Sequence, residues 1–290
     1  MMLRLAMRMT KADAASAQAW AVKAINGGII ASNAGNAVIA HTDGPEGINK
    51  NGHGEVFDVD SQMRMSATFG AHLAGDPRLS VLFAPGSSNA AGEIIGMPNG
   101  RTSDDYVGAD GQTYAGVADR HIYAQTHPAL RKKDVPMVLL TTAEVHFLIG
   151  EAIIRGWVSG DAKTYYDAGV TAAMTMLADF YPDSTPIAQA DIDAFLAGPG
   201  AYDSSKGWEM LMNEYWKATF LNEYEAYANW RRTGYPTLSP TQHPNSVSGN
   251  QIMRRMIYPG GESATNAENY AAAVARQGAD TWMTRMWWDK

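Results

Sequence analysis

No cysteine occurs in the 290 residues, and that one absence removes disulfides, thiolate metal centres and a cysteine nucleophile. It also removes lipid attachment within this stretch of chain, because bacterial lipoproteins are acylated on cysteine. Long apolar runs are missing as well: nothing approaches the roughly 18 apolar residues of a membrane-spanning helix. Basic residues are few, 23 against 30 acidic for a formal charge of −7. They form no stripe, so an electrostatic grip on phosphate backbones, and with it a nucleic-acid partner, is not expected. What is there is 46% hydrophobic with a mean hydropathy of −0.26, the balance of a core-forming chain.

The opening MMLRLAMRMT alternates basic and apolar residues and has no uninterrupted apolar segment or small-residue cleavage site, unlike a signal peptide. It reads as a helix met part-way along, and the expectation is a single domain over 1–290, truncated at its N-terminus. Leu3, Leu5, Ala6 and Met9 give this helix one apolar face. Asp13 then starts a second helix through Ala17, Ala21 and Ala24 that closes at Gly27–Gly28. Small residues at helical spacing let two helices approach closely, as in paired-helix repeats.

Residues 29–136 are rich in Gly, Asn, Ser, Asp and Pro, with one helix expected around Ser66–Leu73. The segment 84–124 is the most loop-like. A stretch of that length without secondary structure is usually functional or disordered, and Tyr106, Tyr114 and Tyr123 within it favour an ordered binding loop. Helical order returns with TTAE, a capping box from Thr141 to Glu144, followed by the stripe Val145, Leu148, Ile149, Ala152 and Ile153. Glu151 and Arg155 make an i, i+4 pair on the opposite side. Asp161 caps the next helix, which runs to Pro182, and a short one follows near Ala190–Leu196. The segment from Gly207 to Pro236 reads as one long helix with Arg231 and Arg232 in its last turn, Gly234 as its cap and Pro236 as its stop. After a polar loop over 237–262, a last helix near Ala264–Arg276 leads into Trp282, Trp287 and Trp288. No alternating pattern is strong enough for a sheet. The fold class is mainly α, built from helix pairs with long irregular loops.

Four segments carry a resemblance. They are LRLAMRM (Leu3–Met9) with the small-residue helix behind it; GDPRLSVLFAPG (Gly75–Gly86) leading to IIGMPNG; VLLTTAEVHFLIGEAIIRGW (Val138–Trp157) with DAKTYYDAGVTAAM; and EAYANWRRTGYP (Glu225–Pro236) followed by RRMIYPGGESATN and RMWWD. In this order they resemble the SusD/RagB family, in its SusD-like nutrient-binding branch. The resemblance implies a stack of tetratricopeptide-type helix pairs and a lipid-anchored place on the outer face of the outer membrane in Bacteroidota. It also implies a partner, a SusC-like TonB-dependent transporter, to which oligosaccharides, or in some members peptides, are passed uncleaved. The lipidated cysteine and the family's N-terminal helices have no counterpart in this stretch.

A search for chemistry agrees with binding rather than turnover. There is no G-x-S-x-G, H-E-x-x-H, P-loop or G-x-G-x-x-G. Glu144 and Glu151 share a helix face but stand about 10 Å apart along its axis, and a cap and an ion pair account for them. His146 with Glu151, and His121 with His127, lack a third ligand in sequence. Asp104, Asp105 and Asp110 resemble a loose calcium loop without its alternating spacing or closing glutamate. No metal or cofactor is expected.

The aromatics from Trp208 to Trp230, with Tyr224 and Tyr227 among them, fall at helical spacing and read as core, as do Trp157, Tyr165, Tyr166, Trp287 and Trp288. Tyr106 and Tyr114 differ, since they sit among polar residues that no helical core would claim. Binding a carbohydrate calls for flat aromatic surface beside hydrogen-bonding side chains, and Asn99, Arg101, Asp104, Asp105, Asp110 and Gln112 supply them. Simple packing of these tyrosines on the helices is the alternative. His53 and Phe57, in the preceding loop GINKNGHGEVFDVD, form a weaker candidate. Two further functional readings stay open beside oligosaccharide capture: peptide or other nutrient binding, and a scaffold that binds only protein.

Overall fold

The computed structural model describes residues 1–44, 49–59 and 63–290. Helix pairs with irregular loops dominate, as the sequence leads one to expect. The first pair is α1 (Met2–Arg8) and α2 (Ala14–Asn26), where the Asp13 carboxylate accepts the Ser16 amide as an N-cap. Three short helices follow in the loop-rich region: α3 (Gly52–Val59), α4 (Ala67–His72) and α5 (Arg78–Leu82). The second pair is α6 (Thr142–Ile154) and α7 (Ala162–Phe180), capped by Thr141 and Asp161. α8 (Gln189–Ala197), α9 (Gly207–Ala218) and α10 (Glu223–Thr233) come next. α11 (Glu262–Thr265) and α12 (Ala267–Gln277) finish the order where one helix was expected.

Close approach of α6 and α7 depends on small residues. A side chain on Gly169 would overlap the Phe147 ring, and one on Gly150 would meet Leu211 Cδ2 of α9 at 2.9 Å. Phe147 is fully buried in the main core, which joins α1, α2, α6, α7, α8 and α9. Gly169→Ala should therefore destabilise the chain by about 1–3 kcal/mol despite the better helix propensity of alanine; a midpoint in urea equal to the parent's would refute this. A second core gathers Phe69, Leu82, Phe83, Leu177 and Phe180 beneath the loops.

Several expectations need correction. Gly207–Pro236 is not one helix. The Thr219 hydroxyl donates to the Tyr215 and Trp216 carbonyls, Leu221 turns the chain at φ +63°, and α10 folds back along α9. Contacts of Tyr215 with Glu225 and of Met212 with Asn229 show the antiparallel hairpin. Next, the expected loop GINKNGHGEVFDVD contains α3; its Gly47, Ile48 and Asp60 lie outside the described residues. Short strands do occur, paired antiparallel as Ala37–Ile39 with Met137–Leu140, Phe83–Ala84 with Gln125–Thr126, and Tyr106–Val107 with Thr113–Tyr114. They are too short to show alternation in sequence. Finally, Tyr224 and Trp287 are not core residues, being 82% and 61% exposed.

Buried ion pairs bind these elements together. Glu144 caps through its backbone as expected, but its carboxylate accepts from Arg4 of α1 instead of closing the capping box. Glu151 meets Arg155 at 2.9 Å as expected, and also takes a bidentate grip from Arg232 of α10.

Candidate ligand-binding site

The segment 84–124 rises into a hairpin in which Tyr106 pairs directly with Tyr114. Gly111, at φ +77°, makes the turn that a Cβ would strain, and Gly108 leaves room for the Tyr114 ring. The two tyrosine rings stack with centroids 5.4 Å apart and planes 19° from parallel. Arg101 lies over Tyr114 at 4.4 Å, and His243, from the 237–262 segment, lies against Tyr106 at 5.0 Å. Arg101, Tyr114, Tyr106 and His243 therefore form one contiguous cluster around the stacked tyrosine pair, with the His243 ring tilted by 50°.

The hydroxyls are held as firmly as the faces. Tyr106 donates to the Gly100 carbonyl at 2.9 Å, and Tyr114 donates to Asp110 at 2.6 Å. That last bond holds the Asp110 carboxyl below its usual range and lifts the Tyr114 hydroxyl above its own. Asp110 also accepts the Gln112 amide, and Asp105 accepts the Gly116 amide, so both acids serve the turn geometry. Main-chain bonds from Gly108 to Gln112 and from Ala109 to Gln242 complete the clamp.

Of the residues singled out from sequence, the fold brings Tyr106, Tyr114, Arg101, Asp110 and Gln112 together. Asp105 braces the hairpin base. Asn99 and Asp104 are exposed on the flanking chain. His53 and Phe57 lie elsewhere, on α3. The His53 ring sits 3.0 Å from Glu223 of α10, and buried Phe57 borders a cleft of about 280 Å³ lined also by Phe69, Phe83, Trp216 and Phe220.

Of the three histidines weighed as metal ligands, His121 and His127 have hydrogen-bond partners and His146 is partly buried beside a tyrosine. Burial pushes the His146 pKa down, and its ring lies near Tyr165. His121 meets Arg64 at 2.9 Å, and His127 accepts the Ala129 amide. Among the described residues no three His, Asp or Glu side chains are grouped as a metal site.

A second, wider cleft of about 670 Å³ was not anticipated. It lies between the start of α10, with Tyr224, Tyr227 and Arg231, and Arg255, Met256 and Tyr258. The sequence signal that could have found it is the alternation of Tyr with Glu and Ala in NEYEAYANW. That pattern gives α10 a polar as well as an apolar side.

Helix pairs that carry aromatic and polar groups on loops and clefts define a helical-repeat scaffold of the tetratricopeptide type. Within that class the chain belongs to the SusD-like family described as starch-binding and associating with the outer membrane, whose pattern matches residues 1–259. Among solved structures it is similar to a chitin-binding protein, with 31% identity and a TM-score of 0.85 over 99% of this chain and 62% of that one. It is also similar to a Bacteroidetes AC2a SusD-like protein, with 25% identity and TM-score 0.82 over 99% and 68%. A SusD homologue from Bacteroides vulgatus matches with 27% identity and TM-score 0.76 over 99% and 61%. The chain thus spans 62% of the length of the first of these relatives. No curated protein sequence matches it. The family is outer-membrane associated, and among the described residues no helix is long and apolar enough to cross a membrane.

Proposed function

We propose that this protein captures oligosaccharide at the cell surface without cleaving it and passes it to a SusC-like TonB-dependent transporter. The observation that carries the reading is the stacked Tyr106–Tyr114 pair on an otherwise polar hairpin, flanked by Arg101 and His243. Because the rings lock one another, their edges and the outer side of Arg101 are pre-positioned. A ligand then loses little affinity to ordering the site. Exposed Gln112 on the hairpin, with Asn99 and Asp104 on the flanking chain, would offer partners for sugar hydroxyls. Membership of a family described as starch-binding supports the ligand class, and so does a chitin-binding relative. Lack of turnover is supported by Glu144 and Glu151, whose buried carboxylates are each paired with arginine.

Calorimetric titration with starch- and chitin-derived oligosaccharides, beside mixed peptides, tests this. The Tyr106→Ala, Tyr114→Ala double variant should lose about 10-fold or more in glycan affinity, about 1.4 kcal/mol, while keeping its helical circular dichroism. Unchanged affinity would move the site off the hairpin. Binding of peptides alone would replace the nutrient class. A folded chain that binds neither would point to a protein-only scaffold, and glycan hydrolysis would overturn the non-catalytic reading.

A further inference from the structure

The N-terminus of α10 stands between two clefts. Glu223 borders both, with Ala226 facing the phenylalanine-lined one and Tyr224, Tyr227 and Arg231 facing the wider one. The floor of the wider cleft is fixed. Tyr227 lies under the Arg231 guanidinium at 4.0 Å and donates its hydroxyl to the Met253 carbonyl at 2.6 Å. Tyr258 lies under Arg255 at 4.7 Å, and Arg255 is itself anchored to Asp280 at 3.0 Å.

Tyr224 is the exception. It is 82% exposed, and among the described residues no hydrogen bond or ring contact engages it. One helical turn before Tyr227, it holds a free aromatic face at the lip of a cleft whose other tyrosines are braced.

The rim has both signs of charge. Arg231 makes no ion pair among the described residues and donates to the Arg254 carbonyl, with further N–H groups to spare. Glu223 stands half-exposed on the same edge, and the His53 imidazole shares its carboxylate. Gln277 adds an amide on the α12 side. Donors and acceptors side by side around a free ring match a hydroxyl-rich, uncharged ligand. An anionic chain would meet Glu223, and a cationic one Arg231.

We infer that this cleft is a second glycan-binding subsite, taking a neutral pyranose chain whose C–H face rests on Tyr224 and whose hydroxyls bond Arg231 and Glu223. It rests on the reading that the protein captures glycans, and adds a place for the chain that the hairpin does not supply. The two places are connected through one segment: Gln242 and His243 pack on the hairpin, and thirteen or so residues later Arg255 to Tyr258 form the cleft wall. A chain engaging both would gain by effective concentration, so loss of either should weaken longer oligosaccharides more than short ones.

The test titrates the full chain with malto- and chito-oligosaccharides of two and of six or more units, and with polygalacturonate. Tyr224→Ala should bind the longer neutral chains about 5–10-fold more weakly with an unchanged melting temperature, since the ring it removes is 82% exposed. Tyr224→Trp, with a larger face, should bind at least as tightly as the parent. Parent-like affinity in Tyr224→Ala, or preference for polygalacturonate over the neutral chains, overturns the subsite. If Tyr224→Ala is parent-like while the hairpin double variant loses binding, the subsite falls and glycan capture stands. If the folded parent binds no glycan at all, both fall.

Discussion

Arg78→Met is expected to lower the unfolding free energy by about 3–5 kcal/mol and the melting temperature by roughly 10 °C for a chain of this size. Arg78 is 1% exposed and sits among Asp76, Glu214 and Lys217, themselves all below 10% exposed. Its Nε and Nη2 reach Asp76 at 2.9 and 2.5 Å, and Nη2 also reaches Glu214 at 2.7 Å. Lys217 approaches Asp76 at 3.2 Å and pairs with Glu214. Two acids and two bases cancel, so the cluster survives burial. Methionine fills much of the volume but leaves two carboxylates facing one ammonium away from water, and it is this unbalanced charge that costs stability.

The pH dependence gives the cluster an independent signature. Burial favours the neutral form of Asp76, yet Arg78 and Lys217 outweigh it and hold the carboxyl below its usual value of 3.8. A depressed folded pKa means that this contribution is complete above about pH 4 and fades as the pH falls through the folded value. The deficit of Arg78→Met should therefore be largest near neutral pH and shrink below pH 4. Lys163→Met, which breaks an exposed i, i+4 pair with Asp167, should leave stability nearly unchanged. Equal losses in the two variants, by urea denaturation at pH 7, would refute the role given to burial.

This cluster also shows where sequence reading stops. Caps and stripes were legible because their partners lie within four residues: Asp13 with Ser16, Thr141 with Glu144, Asp161 with Thr164, Glu151 with Arg155. Arg78 and Glu214 are 136 residues apart, and no local rule joins them. The break between α9 and α10 was hidden for a different reason. It has neither Gly nor Pro, and the apolar spacing continues across it. Only tertiary packing of Leu221 into the second core makes a left-handed leucine acceptable. Tyr106 and Tyr114 were singled out because nothing helical could claim them, and the structure pairs them across a hairpin. Their mutual stacking, and the arrival of His243 from a distant segment, were beyond local reading. Tyr224 was misassigned to the core because spacing reports which residues share a face, not whether anything covers it.

Glu151 carries the second large effect. It is wholly buried on α6, takes Arg232 at 2.5 and 2.7 Å through both oxygens, and takes Arg155 at 2.9 Å. Arg232 donates a further bond to the Asn229 side-chain oxygen Oδ1 at 2.7 Å. Burial pushes against the ionised carboxylate, but the two arginines prevail and hold Glu151 below its usual range. Glu151→Leu should leave Arg232 charged and unpaired in the core and cost about 3–5 kcal/mol, and Arg232→Met should cost nearly as much. Arg155 is partly exposed and can turn to water, so it adds little to either loss. The Glu151→Leu, Arg232→Met double variant is then the decisive measurement. If the pair is a matched burial of opposite charges, removing both should return stability to within about 1–2 kcal/mol of the parent, far less than the sum of the singles. Additive losses in a urea double-mutant cycle would instead mean that each side chain is held by its separate packing. The pair joins α6, in the centre of the core, to α10, which carries Tyr224, Tyr227 and Arg231. A strong coupling energy would show that one buried charge pair sets the position of the helix from which the wider cleft is built.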